Sequence, residues 1–223
     1  MKLLTALFLL LGAVTQTAST QSSNYRIIVS TSERWLWLMR GNEVVLHTPV
    51  AVGMSKNFCY LGKCWYFQTP RGNRVIDRKA TDPIWIPPPW FFFEVAASYG
   101  IPVVDLSPGK PVKLSDGTRL FIQGDTVYRS NDYGAIWAWS MDKVILIDGK
   151  VFMPPVKSEQ RKVEDALGPY ALYMGDGYMI HGTHEGTTDS IGLPVSHGCV
   201  RIPNNVLAEL YRLVPIGTRV EIR

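Results

Sequence analysis

Residues Ser196–Arg201 read Ser-His-Gly-Cys-Val-Arg, and this stretch is the strongest single indication of both the chemistry and the fold. Fourteen residues, 182–195, separate it from a second histidine, His181. A cysteine attacks a carbonyl as its thiolate, and a free thiol with a pKa near ~8.5 is mostly protonated at neutral pH. A neighbouring imidazole can accept that proton once a third group orients it. Because Gly198 also permits close backbone approach, the stretch indicates covalent catalysis by Cys199.

This pattern resembles the L,D-transpeptidases of the YkuD type, whose signature is a histidine, about fourteen to seventeen residues, and then Ser/Thr-His-Gly-Cys. In this sequence it reads His181-Gly182-Thr183 and then Ser196–Cys199. Gly168–Leu172 and Arg201 agree with the flanks of the signature. The N-terminal half follows the family's opening strands and its Thr-Pro-x-Gly turn, at Arg26–Ser30, Trp35–Leu38, Val50–Gly53 and Thr69–Gly72. The resemblance covers roughly Tyr25 to Arg223 and thins between about 91 and 160.

The resemblance implies a peptidoglycan transpeptidase. Cys199 would attack the carbonyl of the third residue of a stem tetrapeptide, usually meso-diaminopimelate, and expel the terminal D-Ala. His181 would be the general base, oriented by a backbone carbonyl near Gly182, and its pairing with Cys199 would give a thiolate–imidazolium pair. His197 would shape the oxyanion or acceptor site, although by local chemistry alone it competes with His181 as the base.

Other positions receive roles from the same resemblance. Ser196 and Gly198 would hold the turn, and the backbone N–H of Cys199 would donate to the oxyanion. Arg201 carries a planar fork suited to a substrate carboxylate, and its alternative role is to cap local carbonyls. Further predicted substrate contacts are Tyr178 and His184, the latter standing where many members of one branch have asparagine.

The sequence is compatible with three fates of the acyl-enzyme. An amine from another stem gives a 3-3 cross-link, a lysine of an outer-membrane lipoprotein gives protein anchoring, and water gives L,D-carboxypeptidase activity. A secreted cysteine amidase would use the same Cys/His chemistry, whereas a non-catalytic wall-binding module would need a damaged motif. We expect no cofactor and no metal, and carbapenems as covalent inhibitors.

Composition favours an exported protein of one domain. Residues 1–20 have the charged start, short apolar run and small polar end of a signal peptide, so we expect export to the periplasm or cell envelope. An uncleaved anchor is the alternative, although the run is shorter than the about 20 residues that span a bilayer. The catalytic domain would occupy 25–223. A formal charge of +4 is too small to indicate nucleic-acid binding.

The three cysteines of the chain have different predicted roles. Cys59 and Cys64 flank a short segment with a turn-forming glycine, which makes a local disulfide feasible and leaves Cys199 free. The alternatives are two reduced thiols, or a metal bound together with distant histidines. Two cysteines without a matching pair are a weak zinc signal, so we predict the disulfide.

The hydrophobic pattern predicts a mostly β fold, a β-sandwich with one or two short helices and an inserted strand-rich segment. Asn204–Leu213 has clear helical spacing with Asn204 or Asn205 as N-cap, and weaker helical signals lie at Phe92–Ser98 and Ser158–Ala166. Hairpin turns are predicted at Arg40–Asn42 and Ile147–Lys150.

The poorly matching segment, about 91–160, has two interpretations: a flap over the cleft, or extra strands that fill an edge of the sandwich. The aromatic residues at its start could stack on sugars or line a peptide groove, but such density more often builds core, and we predict core for Trp85, Trp90, Phe91 and Phe92.

Overall fold

The computed structural model describes residues 24–141, 144–184 and 188–223, and the predicted leader lies outside them. The chain begins with β1 (Tyr25–Ser30), β2 (Trp35–Arg40), β3 (Glu43–Pro49), β4 (Val52–Gly53), β5 (Lys56–Tyr60), β6 (Lys63–Phe67), β7 (Gly72–Val75) and β8 (Arg78–Thr81). Helix α1 (Pro89–Tyr99) precedes β9 (Val103–Asp105), β10 (Val112–Lys113), β11 (Arg119–Gln123), β12 (Thr126–Ser130), β13 (Ile136–Ala138), β14 (Ile145–Ile147) and β15 (Lys150–Met153). The last part contains β16 (Tyr170–Tyr173), β17 (Met179–His181), β18 (Pro194–Ser196), β19 (Val200–Arg201), helix α2 (Asn204–Leu213) and β20 (Arg219–Ile222).

Two sheets share the main core. Sheet A has the strand order β3-β2-β1-β20-β7, and sheet B has the order β19-β17-β16-β8. Alternate side chains of each strand point inward, which is the period-two pattern of a half-buried sheet. The fully buried members of this core include Ile27, Leu36 and Val220 from sheet A, Leu172, Ile180 and Val200 from sheet B, and Leu207 and Leu210 from α2. The predicted mostly β sandwich is therefore confirmed.

Both predicted hairpin turns are present. Arg40 pairs with Glu43 across β2 and β3, and Gly41 between them has a φ of 58°. Ile147 pairs with Lys150, and the two residues between them have φ values of 53° and 61°. Positive φ at both central positions is what a type I′ turn requires, and an Asp-Gly pair supplies it at low steric cost.

The helices agree with the sequence in part. Asn204–Leu213 is helical as predicted, but its N-cap is Pro203, so the predicted asparagine cap is wrong. Helix α1 is longer than the predicted Phe92–Ser98, because a proline begins it and Gly100 ends it in the left-handed conformation. The signal at Ser158–Ala166 corresponds to a short 3-10 turn, Glu159–Arg161. Within the described residues, no helix is long and apolar enough to cross a membrane.

The segment after α1 forms a separate β module. Strands β10-β11-β12-β13 make one sheet and β14-β15-β9 another, around a small core of Leu106, Leu114, Leu120, Val127, Ile145 and Phe152. Among the described strands, none of these pairs with sheet A or sheet B, so the edge-filling interpretation is wrong. Among the described residues from the loop before α1 to β15, those that line the cavity containing Cys199 are Trp85 and Pro88 of the loop and Trp90 of α1.

Arg161 anchors the start of α1 to this module. Its side chain is 4% exposed, and its Nε donates to the carbonyl of Pro87 at 2.7 Å. Its Nη1 donates to the carbonyl of Pro154 at 2.8 Å. A buried guanidinium needs such partners to offset its lost hydration, so these bonds fix the loop that leads into α1.

Candidate active site

Strand pairing brings the predicted nucleophile and base to one face of sheet B. β17 and β19 are parallel neighbours, with Ile180 opposite Val200 and His181 opposite Arg201. Ile180 and Val200 are fully buried in the main core. Because side chains alternate along a strand, Cys199, Arg201 and His181 project from the other face. All three line one cavity of about 360 Å³, together with Ser196, His197 and Tyr178.

The turn before Cys199 is held by hydrogen bonds from two buried hydroxyls. Ser196 Oγ accepts from the N–H of Gly198 at 3.1 Å and donates to the carbonyl of Cys199 at 2.6 Å. Thr69 Oγ1 donates to the carbonyl of Gly198 at 2.9 Å and accepts from the N–H of Gly53 at 2.8 Å. The turn is thus fixed on both sides, and Thr69 belongs to the Thr-Pro-x-Gly turn quoted above.

Gly198 occupies a position that only glycine fits. Its φ is 138°, and a Cβ there would lie 2.7 Å from Cε1 of Tyr178 and 2.9 Å from the carbonyl oxygen of Gln68. Tyr178 packs on this turn and has the Arg74 guanidinium 5.0 Å from its ring centroid. The Tyr178 ring therefore shapes the cavity wall beside Cys199.

The Cys199 thiol is the free cysteine of the chain and is half-buried. Its Sγ lies 3.9 Å from the carbonyl oxygen of Gly177. Burial raises the pKa of this thiol, while a backbone hydrogen bond with Met179 and the positive charge of Arg201 act to lower it. The net direction favours the neutral thiol.

His181 is 5% exposed, and burial lowers its pKa to about 4, assisted by the positive charge of Arg201. Backbone groups of Gly182 and Leu167 favour the charged ring, although His181 Nδ1 has no hydrogen-bond partner within the described residues. The pKa shifts of Cys199 and His181 both favour the neutral forms, the direction opposite to the thiolate–imidazolium pair expected from the sequence.

Asn204 fixes the backbone that follows His181. Its Oδ1 accepts from the N–H of Thr183 and its Nδ2 donates to the carbonyl of Thr183, both at 2.9 Å. A Cβ at Gly182 would lie 2.0 Å from that Oδ1, so the glycine makes room for the asparagine side chain. This bond pair explains why Asn204 does not cap α2. The sequence marked Asn204 as polar at a helix start but gave no sign of its partner.

His197 lies against the start of the inserted segment. Its Nε2 is 3.0 Å and 2.9 Å from the two carboxylate oxygens of Glu94. Its ring is stacked on Trp90 with centroids 3.9 Å apart and meets Phe67 edge-on at 4.5 Å. Glu94 escaped the sequence analysis, because it lies in the part of the chain where the resemblance thins.

The aromatic residues near α1 divide between core and cavity. Phe92 is 3% exposed and packs against Ala96 and Val151, as predicted for core. Trp85 and Trp90 instead line the cavity. The core interpretation is therefore wrong for these two tryptophans, since Trp90 on α1 and Trp85 in the loop before it lie beside the turn that contains His197 and Cys199.

Arg201 lies between two cavities. It lines the one described above and a second of about 400 Å³, which His184, Gly182 and Thr183 also line. Burial lowers the pKa of its guanidinium, which nevertheless remains charged as arginine does in proteins. Within the described part of the chain, Arg201 has no ion pair. An unneutralised, half-buried cation beside the thiol is suited to a substrate anion.

The other two cysteines lie away from the nucleophile. Cys59 and Cys64 face each other across the β5–β6 hairpin and form a disulfide. Among the described residues, no group of three His, Cys, Asp or Glu is arranged to hold a metal ion. The site is therefore built from a thiol, two histidines and a guanidinium.

A thiol and a histidine thus lie on one face of a sandwich sheet, the arrangement that a cysteine nucleophile and its base require. The family model of the L,D-transpeptidase catalytic domain matches residues 24–222, and the chain belongs to this family. The match includes the inserted β module.

Individual relatives match a shorter segment. The chain is 50% identical over 58 residues to Probable L,D-transpeptidase YbiS of Escherichia coli strain K12, which is 26% of this chain and 18% of that protein. It is 46% identical over 59 residues to Probable L,D-transpeptidase ErfK/SrfK of Salmonella typhimurium, covering 26% and 18%. The matched segments thus span less than a fifth of these relatives. A crystal structure of an L,D-transpeptidase from Xylanimonas cellulosilytica aligns with a TM-score of 0.46 and 16% identity, over 92% of this chain and 62% of that one.

Proposed function

We propose that this protein is a peptidoglycan L,D-transpeptidase with Cys199 as its nucleophile. The observation that carries the proposal is the shared cavity, in which a free thiol, His181, His197 and an unneutralised Arg201 meet in a chain of the L,D-transpeptidase family. The donor is a stem tetrapeptide cleaved at its diaminopimelate–D-Ala bond.

Acylation starts from neutral partners. His181 has a low pKa because it is buried, so its ring is unprotonated and can accept a proton at neutral pH. As Sγ of Cys199 bonds to the substrate carbonyl carbon, the thiol proton passes to His181 and then to the departing D-Ala amine. The C–N bond breaks and a thioester remains. Proton transfer accompanies attack, because neither pKa favours a preformed ion pair.

The oxyanion and the substrate carboxylate each need a partner. The N–H of Gly198 already donates to Ser196 Oγ, which leaves the N–H of Cys199 as the donor of this turn that serves the oxyanion. Arg201 binds a carboxylate of the donor stem through its planar fork. Tyr178 and His184 line the cavities on either side and contact the stem peptide.

The acyl group then passes to an amine, either of a second stem, giving a 3-3 cross-link, or of an outer-membrane lipoprotein. We also propose that the protein is exported to the periplasm or cell envelope. The leader-like residues 1–20 and the Cys59–Cys64 disulfide support this location, since disulfides persist in oxidising compartments. Cell fractionation and N-terminal sequencing test it: a start near residue 19 or 21 in the envelope fraction supports export with cleavage, an intact Met1 there indicates an uncleaved anchor, and recovery from the cytoplasm alone contradicts export.

The decisive test is intact mass after exposure to a carbapenem, with Cys199→Ala as the control. We expect one adduct on the wild-type protein and none on the variant. Muropeptide analysis then separates transfer from hydrolysis, and an exclusively hydrolytic product pattern would indicate an L,D-carboxypeptidase or another cysteine amidase. A folded wild-type protein with a titratable thiol and no adduct would contradict the proposal.

A further inference from the structure

The two histidines of the cavity have different partners. His181 has no carboxylate beside it in the described structure, whereas both oxygens of Glu94 lie within 3.0 Å of His197 Nε2. A carboxylate so placed fixes the tautomer with hydrogen on Nε2 and stabilises the ring when it becomes an imidazolium. The side chains of His197 and Glu94 are 25% and 31% exposed, and His197 lines the cavity that contains Cys199.

The ring of His197 is also held in orientation. Trp90 stacks on one face with an interplanar angle of 12°, and Phe67 meets the ring edge-on at 78°. Trp90 and Glu94 are one turn apart on α1, so one helix supplies both the stacking surface and the carboxylate. The Arg161 bonds described above fix the loop into that helix. Such restraint is typical of a ring that must present one nitrogen to a reactant.

That nitrogen is Nδ1. The contacts with Glu94 occupy Nε2, and His197 Nδ1 forms no hydrogen bond with the described residues. With hydrogen on Nε2, Nδ1 carries a lone pair and is a proton acceptor. The site therefore contains a second base candidate that acylation by His181 does not use.

We propose that Glu94 is a positioning residue for His197, and that the Glu94–His197 pair deprotonates the amine acceptor in the second half-reaction. The proposal rests on the proposed transpeptidase function. The acceptor amine loses a proton to Nδ1 as its nitrogen bonds to the thioester carbonyl carbon. The tetrahedral intermediate then expels Cys199 as the C–S bond breaks, and the imidazolium proton returns to the thiolate.

The test separates the two half-reactions with Glu94→Gln, which keeps the size of the side chain and removes its charge. The variant reacts with a tetrapeptide ending in diaminopimelate–D-Ala and with glycinamide as acceptor, and quenched samples are weighed intact. We expect transfer product to form at least about tenfold more slowly, within the range for general base catalysis. The acyl-enzyme on Cys199 should accumulate, and acylation by a carbapenem should slow much less than transfer. Glu43→Gln, an exposed glutamate paired with Arg40, is the matched control and should behave as wild type.

Three results overturn or separate the claims. Transfer at the wild-type rate in Glu94→Gln refutes the proposal, and so does an equal loss of acylation and transfer, which indicates only a structural role. If Glu94→Gln does not fold by circular dichroism, Trp90→Leu frees the ring while keeping the carboxylate and is judged by the same accumulation of acyl-enzyme. Absence of any Cys199 adduct in the wild-type protein refutes the transpeptidase function itself, independently of Glu94.

Discussion

His181 and His197 share a cavity but are built by different parts of the molecule. His181 ends a strand of sheet B, is almost fully buried, and has a pKa lowered to about 4. His197 precedes the nucleophile in a turn and is held by Glu94 and Trp90 of α1. One imidazole is thus surrounded by sandwich core and the other by a polar, aromatic wall from the inserted segment.

This difference shows that environment, and not residue type, assigns chemical roles. Two groups whose surroundings stabilise different protonation states can serve as acid and base at different steps. His181 is suited to take a proton from a neutral thiol. His197, whose Nε2 faces the Glu94 carboxylate, is suited to accept a proton at Nδ1 during the proposed transfer step.

The largest expected effect comes from removing the buried base. His181→Ala should slow acylation of Cys199 by about 10²- to 10⁴-fold, since it removes the unprotonated imidazole that accepts the thiol proton in the proposed acylation step. His197→Ala should slow acylation less than it slows transfer. Time-resolved intact mass with a carbapenem measures both variants, and His47→Ala, an exposed histidine on β3, is the control. The assignment is reversed if His197→Ala abolishes acylation while His181→Ala retains it.

The sandwich side of this comparison could be predicted from sequence. Runs of β-branched and aromatic residues predict the strands, and the His/Ser-His-Gly-Cys spacing matches a family signature that points to Cys199 and His181. Their electrostatics could not be predicted, because the desolvation of a histidine depends on how many atoms of distant strands surround it. The pKa shifts of both groups therefore run in the direction opposite to the one that an ion pair requires.

The contacts that α1 and Asn204 make at the site could not be predicted from the sequence. Glu94 is one carboxylate in an apolar helix, and its partner lies 103 residues away along the chain. Asn204 matched an N-cap, but its bonds to Thr183 join elements that only the folded chain brings together. Local patterns report periodicity and turn chemistry, whereas such long-range pairs depend on tertiary packing.

The buried state of His181 should also make stability depend on pH. Its pKa falls from 6.5 in the unfolded chain to about 4 in the folded one, so the unfolded state binds more protons between these values. This contribution is fully present above pH 6.5 and is lost as pH falls toward 4, on the order of 3 kcal/mol in all. Urea denaturation from pH 4 to 7 should show a shallower dependence for His181→Gln than for wild type. Parallel curves for the two proteins would contradict the assigned burial.

A smaller effect is expected at the support of His181. Asn204→Ala leaves the N–H and C=O of Thr183 without their partner and should lower the free energy of unfolding by about 1–3 kcal/mol. Acylation should fall as well, because Gly182 and His181 lose a fixed neighbour. Asn205→Ala, the adjacent exposed asparagine on α2, is the matched control in chemical denaturation. Equal stability of the two variants would show that water replaces the Asn204 bonds.

The smallest expected effect tests Arg201, which lines both cavities described above. Arg201→Lys keeps a positive charge near His181, so the low pKa of that histidine and the rate of carbapenem acylation should change little. The lysine lacks the planar fork that binds a carboxylate through two parallel bonds, so the KM for the tetrapeptide donor should rise about tenfold. Steady-state kinetics at varied donor concentration measure this, with the exposed Arg40→Lys as control. An unchanged KM would assign Arg201 to local backbone contacts, whereas a raised KM with intact thiol reactivity places the donor carboxylate beside β19, on the His181 side of the cavity.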